Sequence, residues 1–375
     1  MSITSVRNEA PYLIEWLAHH MATGVSDFLV YSNDCDDGTD EMLDRLNKAG
    51  VLTHVRHNRE GKKSIQWQAL KSAWQHPIRK QADWILVSDV DEFLNIRTPC
   101  HDLKGLVDAL PEGTDGVVMQ WRLFGHNGIL NIQDMPVTNQ FTHAISAQAQ
   151  YPIAASMFKT LFRAVGPFNM LGVHRPRQKS PDRAGLPKLV NGSGHPLPQS
   201  VIAHQQRLSL FGQPAARDLV DINHYSIRSA AAFLLKKARG LPNRASKPVD
   251  LSYWVERNFN TVEDTSIAAM RPATEAMQGQ LMAIPGISDL HLRAVAAHPA
   301  RFAEMVRTRD HHQLLTQILT AGSSEVLPPD LPWQLVQWYP LAQTSSTAEP
   351  DKTGETGLII ASPCLHSGTP PHTGV

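Results

Sequence analysis

The chain predicts an α/β fold in which a mostly parallel, Rossmann-like sheet is flanked by helices, and three observations predict it. Over the first hundred residues, apolar runs of strand length alternate with segments of helical spacing. Strand and helix alternating in this way build parallel pairs through crossover helices. The turns "RNEA", "NDCDDG" and "DVDEF" all carry acids or amides and follow strand-like runs, so they should share the edge of the sheet where ligands bind. Finally, 375 residues of which 42% are hydrophobic can bury a substantial core.

Each element follows in order. "SITSVRNEA" reads as a short strand ending in a polar turn. "YLIEWLAHHMATG" is a helix with Leu13, Trp16, Leu17 and Met21 on one face, closed by Gly24. "DFLVYSN" is the second strand, and "TDEMLDRLNKAG" a helix capped by Thr39 or Asp40 and stopped by Gly50. "VLTHVRH" is the third strand; "SIQWQALKSAWQH" is a helix stopped by Pro77; "DWILVSD" is the fourth strand. Residues 177–220, with several Pro, Gly, Ser and Gln, read as an inserted loop region. Residues 271–340 read as two or three short amphipathic helices broken by Pro285 and Pro299, and 341–375 as a disordered tail.

Composition narrows the function. Lys+Arg and Asp+Glu are both 35, which gives no electrostatic argument for nucleic acid or an anionic membrane as partner. Cys35, Cys100 and Cys364 lack CxxC spacing, so neither a disulfide framework nor a zinc knuckle is suggested, and a reducing compartment fits. The N-terminal residues show no basic segment followed by an apolar one, and no apolar run reaches the roughly 18 residues that span a bilayer. The expectation is a cytoplasmic protein without a transmembrane segment; peripheral membrane association stays open.

The chemistry-bearing stretch is "WILVSDVDEFLNI", residues 84–96, where an apolar strand delivers Asp89, Asp91 and Glu92 to its C-terminal end. Two carboxylates two residues apart at such a turn can face one hard cation, Mn²⁺ or Mg²⁺, shared with substrate phosphates. No GxGxxG or GxxxxGK[ST] follows the first strand, which argues against a dinucleotide or P-loop enzyme. A calcium loop also fails: with Gly38 at its sixth position, the ligand positions fall on Asn33, Cys35, Asp37 and Asp44.

The blocks "VRNEAPYLIEWLAHH", "DFLVYSNDCDDGTDEML" and "WILVSDVDEFL" resemble, in order and spacing, bacterial family 2-type glycosyltransferases of the GT-A fold, in the branch related to the family 92 glycosyltransferases. "QWRLFGHNG" at 120–128, "FKTLFRAVGPFNMLGVHRP" at 158–176, "INHYSIRSAAAFLLKKARG" at 222–240 and "WVERNFNTVEDTSI" at 254–267 continue the likeness. It implies a GT-A domain over 1–270, with a donor half of about 1–100 and an acceptor half of about 101–270, followed by a helical extension. It also implies a nucleotide-diphosphate sugar donor, a divalent metal on its phosphates, and a glycan or polysaccharide-precursor acceptor. On that reading Asp91 is a metal ligand, and Asp89 binds the ribose or the metal through water. Asp37 contacts base or ribose, and Arg7, Asn8 and Glu9 meet the nucleotide, although a turn with a helix cap accounts for the same residue types.

A third metal ligand would come from His174 or His224 among the 18 histidines, and Lys159, Arg163 and Lys237 could offset diphosphate charge. For the proton-accepting base, Asp264 in "VEDT" and Glu92 are candidates. Asp264 follows the "NHY" block instead of preceding it as the family order would have it, so a helix start is the competing reading, and Glu92 could instead orient the turn. Trp121, Phe124 and Gly125 are a candidate acceptor platform or ordinary core. Competing functions are a glycoside hydrolase, a nucleotidyltransferase and a catalytically inactive binding homologue.

Overall fold

The computed structural model describes residues 1–58, 61, 64–178, 185–240 and 249–344. Among them a nine-stranded sheet runs β3-β2-β1-β4-β8-β6-β10-β5, with β9 beside β6. Its strands are β1 Ser2–Val6, β2 Phe28–Ser32, β3 Thr53–Arg56, β4 Trp84–Val87, β5 Glu92–Ile96, β6 Gly116–Leu123, β8 Phe158–Arg163, β9 Leu189–Asn191 and β10 Val220–His224, while β7, His143–Ala144, lies in a separate two-stranded sheet. The half formed by β3, β2, β1 and β4 is parallel throughout. β8 runs antiparallel between β4 and β6, and β5 runs antiparallel to β10. The expected α/β class is observed, with helices on both faces of a mostly parallel sheet.

Both faces of the sheet are covered, and the strands show it in their alternation. Phe28 and Val30 of β2 point into one apolar cluster with Leu13, Trp16 and Leu17 of helix α1, Ala10–Ala22. Leu29 and Tyr31 point into the other, with Ala69 and Leu70 of the Ile65–Gln75 helix. Burying each such large side chain contributes roughly 2 kcal/mol. Met21, expected on the same face of α1, is only half-buried.

One connection positions the site. After β4 the chain turns through Ser88–Asp91 and re-enters as β5 at the far side of the sheet, paired with β10 so that Glu92 lies opposite His224. The Tyr225 amide donates to the Asp91 carbonyl at 2.8 Å. An antiparallel ladder thus brings the acidic turn to the end of a strand more than a hundred residues later.

Three details depart from expectation. The cap of the helix Thr39–Lys48 is Gly38, at φ 94°, because the Asp37 carboxylate already accepts the Thr39 amide and hydroxyl. Pro299 lies inside the helix Ile287–Met305 without breaking it; the break falls at Pro285 and Gly286. Within 177–220 the chain supplies β9 and a short helix, Gln199–Ala203, burying Leu189, Val190 and Val201; residues 179–184 lie outside the described residues. The expected tail, 341–375, starts too early: 341–344 end the helix Leu331–Thr344, and 345–375 lie outside the described residues.

The C-terminal helices lie on the first half of the chain. Arg271–Met282 packs on α1, and Ile287–Met305 crosses α1, the Thr39–Lys48 helix and the helix Ala230–Arg239. Leu281, Ile287, Leu290 and Ala294 join the same apolar cluster as Trp16.

Candidate active site

The acids of the β4–β5 turn are held by two lysines from distant elements. Lys159 of β8, fully buried, places Nζ 3.0 Å from Asp89 Oδ2 and 3.2 Å from Glu92 Oε2. Lys236, on Ala230–Arg239, places Nζ 2.9 Å from Asp91 Oδ2, and His224 Nε2 stands 3.6 Å from Asp91 Oδ1. Burial pulls the Asp91 carboxyl up, but Lys236 and His224 outweigh it and hold it well below the usual carboxylate range. Glu92 goes the other way: burial pushes it up to about 8, and the charges of Asp89 and Asp91 add to this against the single ammonium of Lys159. Burial likewise keeps the His224 imidazole below its ordinary value, with Asp91 opposing, and its Nδ1 is buried without a partner.

A cavity of about 310 Å³ opens beside this turn. One wall is the C-terminal end of β1, Arg7 to Glu9, with Asp36 and Asp37 of the next turn; a second is Ser226 to Arg228 with Lys236 and Arg239; a third is the Ile287–Met305 helix. Lys236 therefore lines the cavity while bonding Asp91 outside its lining.

Glu9 organises the cationic wall. Its buried carboxylate accepts Arg228 at 2.8 Å and pairs with Arg239; burial raises its pKa, and the two guanidinium groups more than reverse this. Arg228 also donates to the Val90 carbonyl, 3.1 Å, and covers the Tyr12 ring at 3.6 Å. Arg7 donates to the Arg239 carbonyl, and Arg239 to the carbonyls of Arg7 and Asn8. After these bonds, the Nε–H groups of Arg7 and Arg228 remain buried without acceptors. Buried donors of this kind cost free energy unless something accepts from them.

The residues singled out in sequence fall into three groups. Arg7, Asn8, Glu9 and Asp37 line the cavity, but three of them also have structural duties. Asp37 caps both flanking helices, accepting Ala10 and Thr39 amides. Asn8, at φ 54°, accepts the Asp36 amide, and Glu9 fixes two arginines. Asp89, Asp91, Glu92 and His224 come together at the turn, where Glu92 accepts the Asp89 amide at 2.9 Å, as the orienting reading has it. His174 Nδ1–H donates to the Phe158 carbonyl, 3.0 Å, and the ring packs on Trp121.

The remaining candidates lie elsewhere. Asp264 accepts the Ser266 amide and hydroxyl and pairs with Arg122, the helix-start arrangement; burial raises its pKa, and those partners bring it below the usual range. Phe124 and Gly125 are packed inside, Phe124 against Tyr225, and a Cβ on Gly125 would collide with Asn260 and the Phe259 carbonyl. They present no surface to an acceptor. Trp121 does stand at the site, its ring centroid 4.1 Å from that of His224. Lys159 is on a strand, not a helix; Arg163 donates to the Thr114 carbonyl, and Lys236, not Lys237, reaches the acids. Arg228, Lys236 and Arg239 escaped notice, although Ala232, Lys236 and Arg239 share one face of a helix at spacings of four and three.

Among known proteins, the model of glycosyltransferase family 92 matches residues 1–204. A family 92 protein of Ricinus communis is 33% identical over 94 residues, 24% of this chain and 15% of that one. An Arabidopsis thaliana family 92 protein is 30% identical over 111 residues, 28% of this chain and 17% of that one. The chain thus aligns with less than a fifth of the length of these relatives. Among solved structures, a mannosyltransferase from Pyrobaculum calidifontis in complex with GDP-Man and Mn²⁺ is 15% identical, covering 84% of this chain and 82% of that one, at a TM-score of 0.30. S. aureus TarS 1-349 in complex with UDP is 12% identical over 92% of each chain, at 0.29. With 204 of its 375 residues matched by one family's model, this chain belongs to glycosyltransferase family 92.

Proposed function

We propose that the protein transfers a sugar from a nucleotide-diphosphate donor, bound in the 310 Å³ cavity, to a glycan or polysaccharide-precursor hydroxyl. The observation that carries this is the pair of buried, unpartnered Arg7 and Arg228 Nε–H groups in a cavity also lined by Lys236 and Arg239, next to a carboxylate turn. Acceptor-rich, anionic ligands satisfy such a wall, and the volume is at the scale of a small-molecule site.

In transfer, the bond from the anomeric carbon to the β-phosphate oxygen breaks, a bond to the acceptor oxygen forms, and the proton of the acceptor hydroxyl passes to solvent. Charge grows on the departing diphosphate. Arg228, Arg239 and Lys236 are fixed in advance by Glu9, Val90 and Asp91, so they stabilise that charge without reorganising. Among the described residues no three His, Cys, Asp or Glu side chains converge to hold a cation; the Asp91 carboxylate with the His224 imidazole would be the donors nearest to Mn²⁺ or Mg²⁺, which would offset the same charge. The Lys236 ammonium already occupies one Asp91 oxygen, so a cation there competes with it. Trp121 is buried, and its ring packs on His224 and His174, so it steadies His224 at the turn. A cytoplasmic setting agrees with the free thiols of Cys35 and Cys100, and among the described residues no helix is long and apolar enough to cross a membrane.

The test is release of nucleoside diphosphate from a panel of UDP-, GDP- and CDP-sugars in the presence of Mn²⁺. Turnover of at least one donor is expected, reduced about 100-fold or more by Asp91→Asn. No turnover with any donor, or an Asp91→Asn variant as active as the wild type, contradicts the reading.

A further inference from the structure

The third wall of the cavity comes from residues outside those matched by the family model. His298, on the Ile287–Met305 helix, is 5% exposed and its Nε2 lies 3.4 Å from the Tyr12 hydroxyl. The Tyr12 phenol keeps its proton: burial drives its pKa up to about 12. Arg228 covers the ring and can only donate, so the phenolic hydrogen is the one available for His298 Nε2. The imidazole is neutral, because burial and the charges of Arg228 and Arg301 bring its pKa down to about 4. A neutral imidazole that accepts at Nε2 carries its proton at Nδ1. That Nδ1 is buried and has no hydrogen-bond partner.

His298 meets Tyr12 on the side of the cavity where Arg228 covers the same ring, and Pro11, Ala294 and Ala297 line the same space. Arg301, one turn beyond His298, donates to the Asp36 carboxylate at 2.9 Å and to the Asp36 carbonyl, tying the helix to the turn after β2. The guanidinium and ammonium groups suit a diphosphate; the one buried neutral donor, on His298, suits a nucleobase with a carbonyl acceptor.

We infer that the Ile287–Met305 helix completes the donor site and that His298 selects the nucleobase, donating from Nδ1 to a carbonyl oxygen, with Arg301 as the positioning residue that latches the helix to Asp36. This rests on the donor-site reading above. Such a contact discriminates strongly, because a base lacking the acceptor leaves the buried donor unpaired.

The experiment is calorimetric titration of UDP, GDP and ADP, whose adenine has no carbonyl oxygen, onto the full chain, as wild type, His298→Asn and His298→Gln. The Asn amide nitrogen overlays Nδ1 and the Gln amide nitrogen overlays Nε2. Expected is a wild-type preference for one base that His298→Asn keeps and His298→Gln loses, with about a tenfold drop for the preferred nucleotide and little change for the others. Arg301→Ala should weaken the preferred nucleotide as well. Equal affinity of the wild type for all three bases overturns the inference, and so does a His298→Gln variant that binds like wild type. An equal loss for all three nucleotides also overturns it, since that would mark a phosphate contact or general damage. If the wild type binds no nucleoside diphosphate, the donor-site reading falls and takes this inference with it; if only the His298 pattern fails, the donor site stands.

Discussion

Lys159 is the residue on which the acidic turn rests. It is fully buried and reaches both Asp89 and Glu92, so two carboxylates share one ammonium. Removing one partner of a buried charge cluster leaves the others uncompensated, which typically costs about 3–5 kcal/mol. Lys159→Met should lower stability by roughly that amount in urea melts at about pH 9, above the Glu92 value of about 8, and Glu92→Gln in the same background should recover part of it by deleting one stranded acid. A Lys159→Met loss under about 1 kcal/mol would show that the carboxyl groups protonate or rehydrate without difficulty.

Helix α1 carries the clearest pH signature. His19 and His20 are buried on it, and burial holds them neutral, with pKa values brought down to about 4 and about 3; the His19 Nε2 meets the Leu94 carbonyl at 2.7 Å. Both folded-state values lie below the unfolded value of 6.5. As pH falls the unfolded chain takes up these protons first, so their contribution is whole above about pH 6.5 and is lost from there down to about pH 4 for His19 and about pH 3 for His20. His20→Phe, which keeps a ring against Trp16 and Phe93, should flatten the pH dependence of the urea midpoint by about one proton, roughly 1.4 kcal/mol per pH unit. An unchanged slope would mean that His20 is not a buried neutral group. The element pattern that builds this helix was legible because Leu13, Trp16 and Leu17 repeat at the helical period and Phe28 to Tyr31 fill both faces of a strand. The site was legible only where chemistry and chain order coincide. Asp89 and Asp91 sit on one turn, but Lys159, His224 and Lys236 reach them through strand pairing and helix packing across 70 or more residues, which local spacing does not encode. Phe124 and Gly125 were misjudged for the related reason that an aromatic beside a glycine looks the same in sequence whether it faces a sugar or a core.

At the scale of the molecule, the C-terminal helices form one wall of the cavity and bury part of α1. Leu281, Ile287, Leu290 and Ala294 share a core with Trp16, so a chain ending at residue 270 would expose that core. Such a truncation should be aggregated or molten, seen as lost near-ultraviolet dichroism; a monodisperse, cooperatively melting 1–270 fragment would contradict this packing. The central claim is that the cavity between Arg7–Glu9 and Arg228–Arg239 holds a nucleoside diphosphate. It is tested most directly by titrating UDP, GDP and CDP onto the full chain with and without Mn²⁺, alongside Arg228→Met. Saturable binding of at least one nucleotide, strengthened by Mn²⁺ and weakened about tenfold or more by Arg228→Met, is the expected result. No binding of any of the three under either condition, or binding indifferent to Arg228, would contradict it.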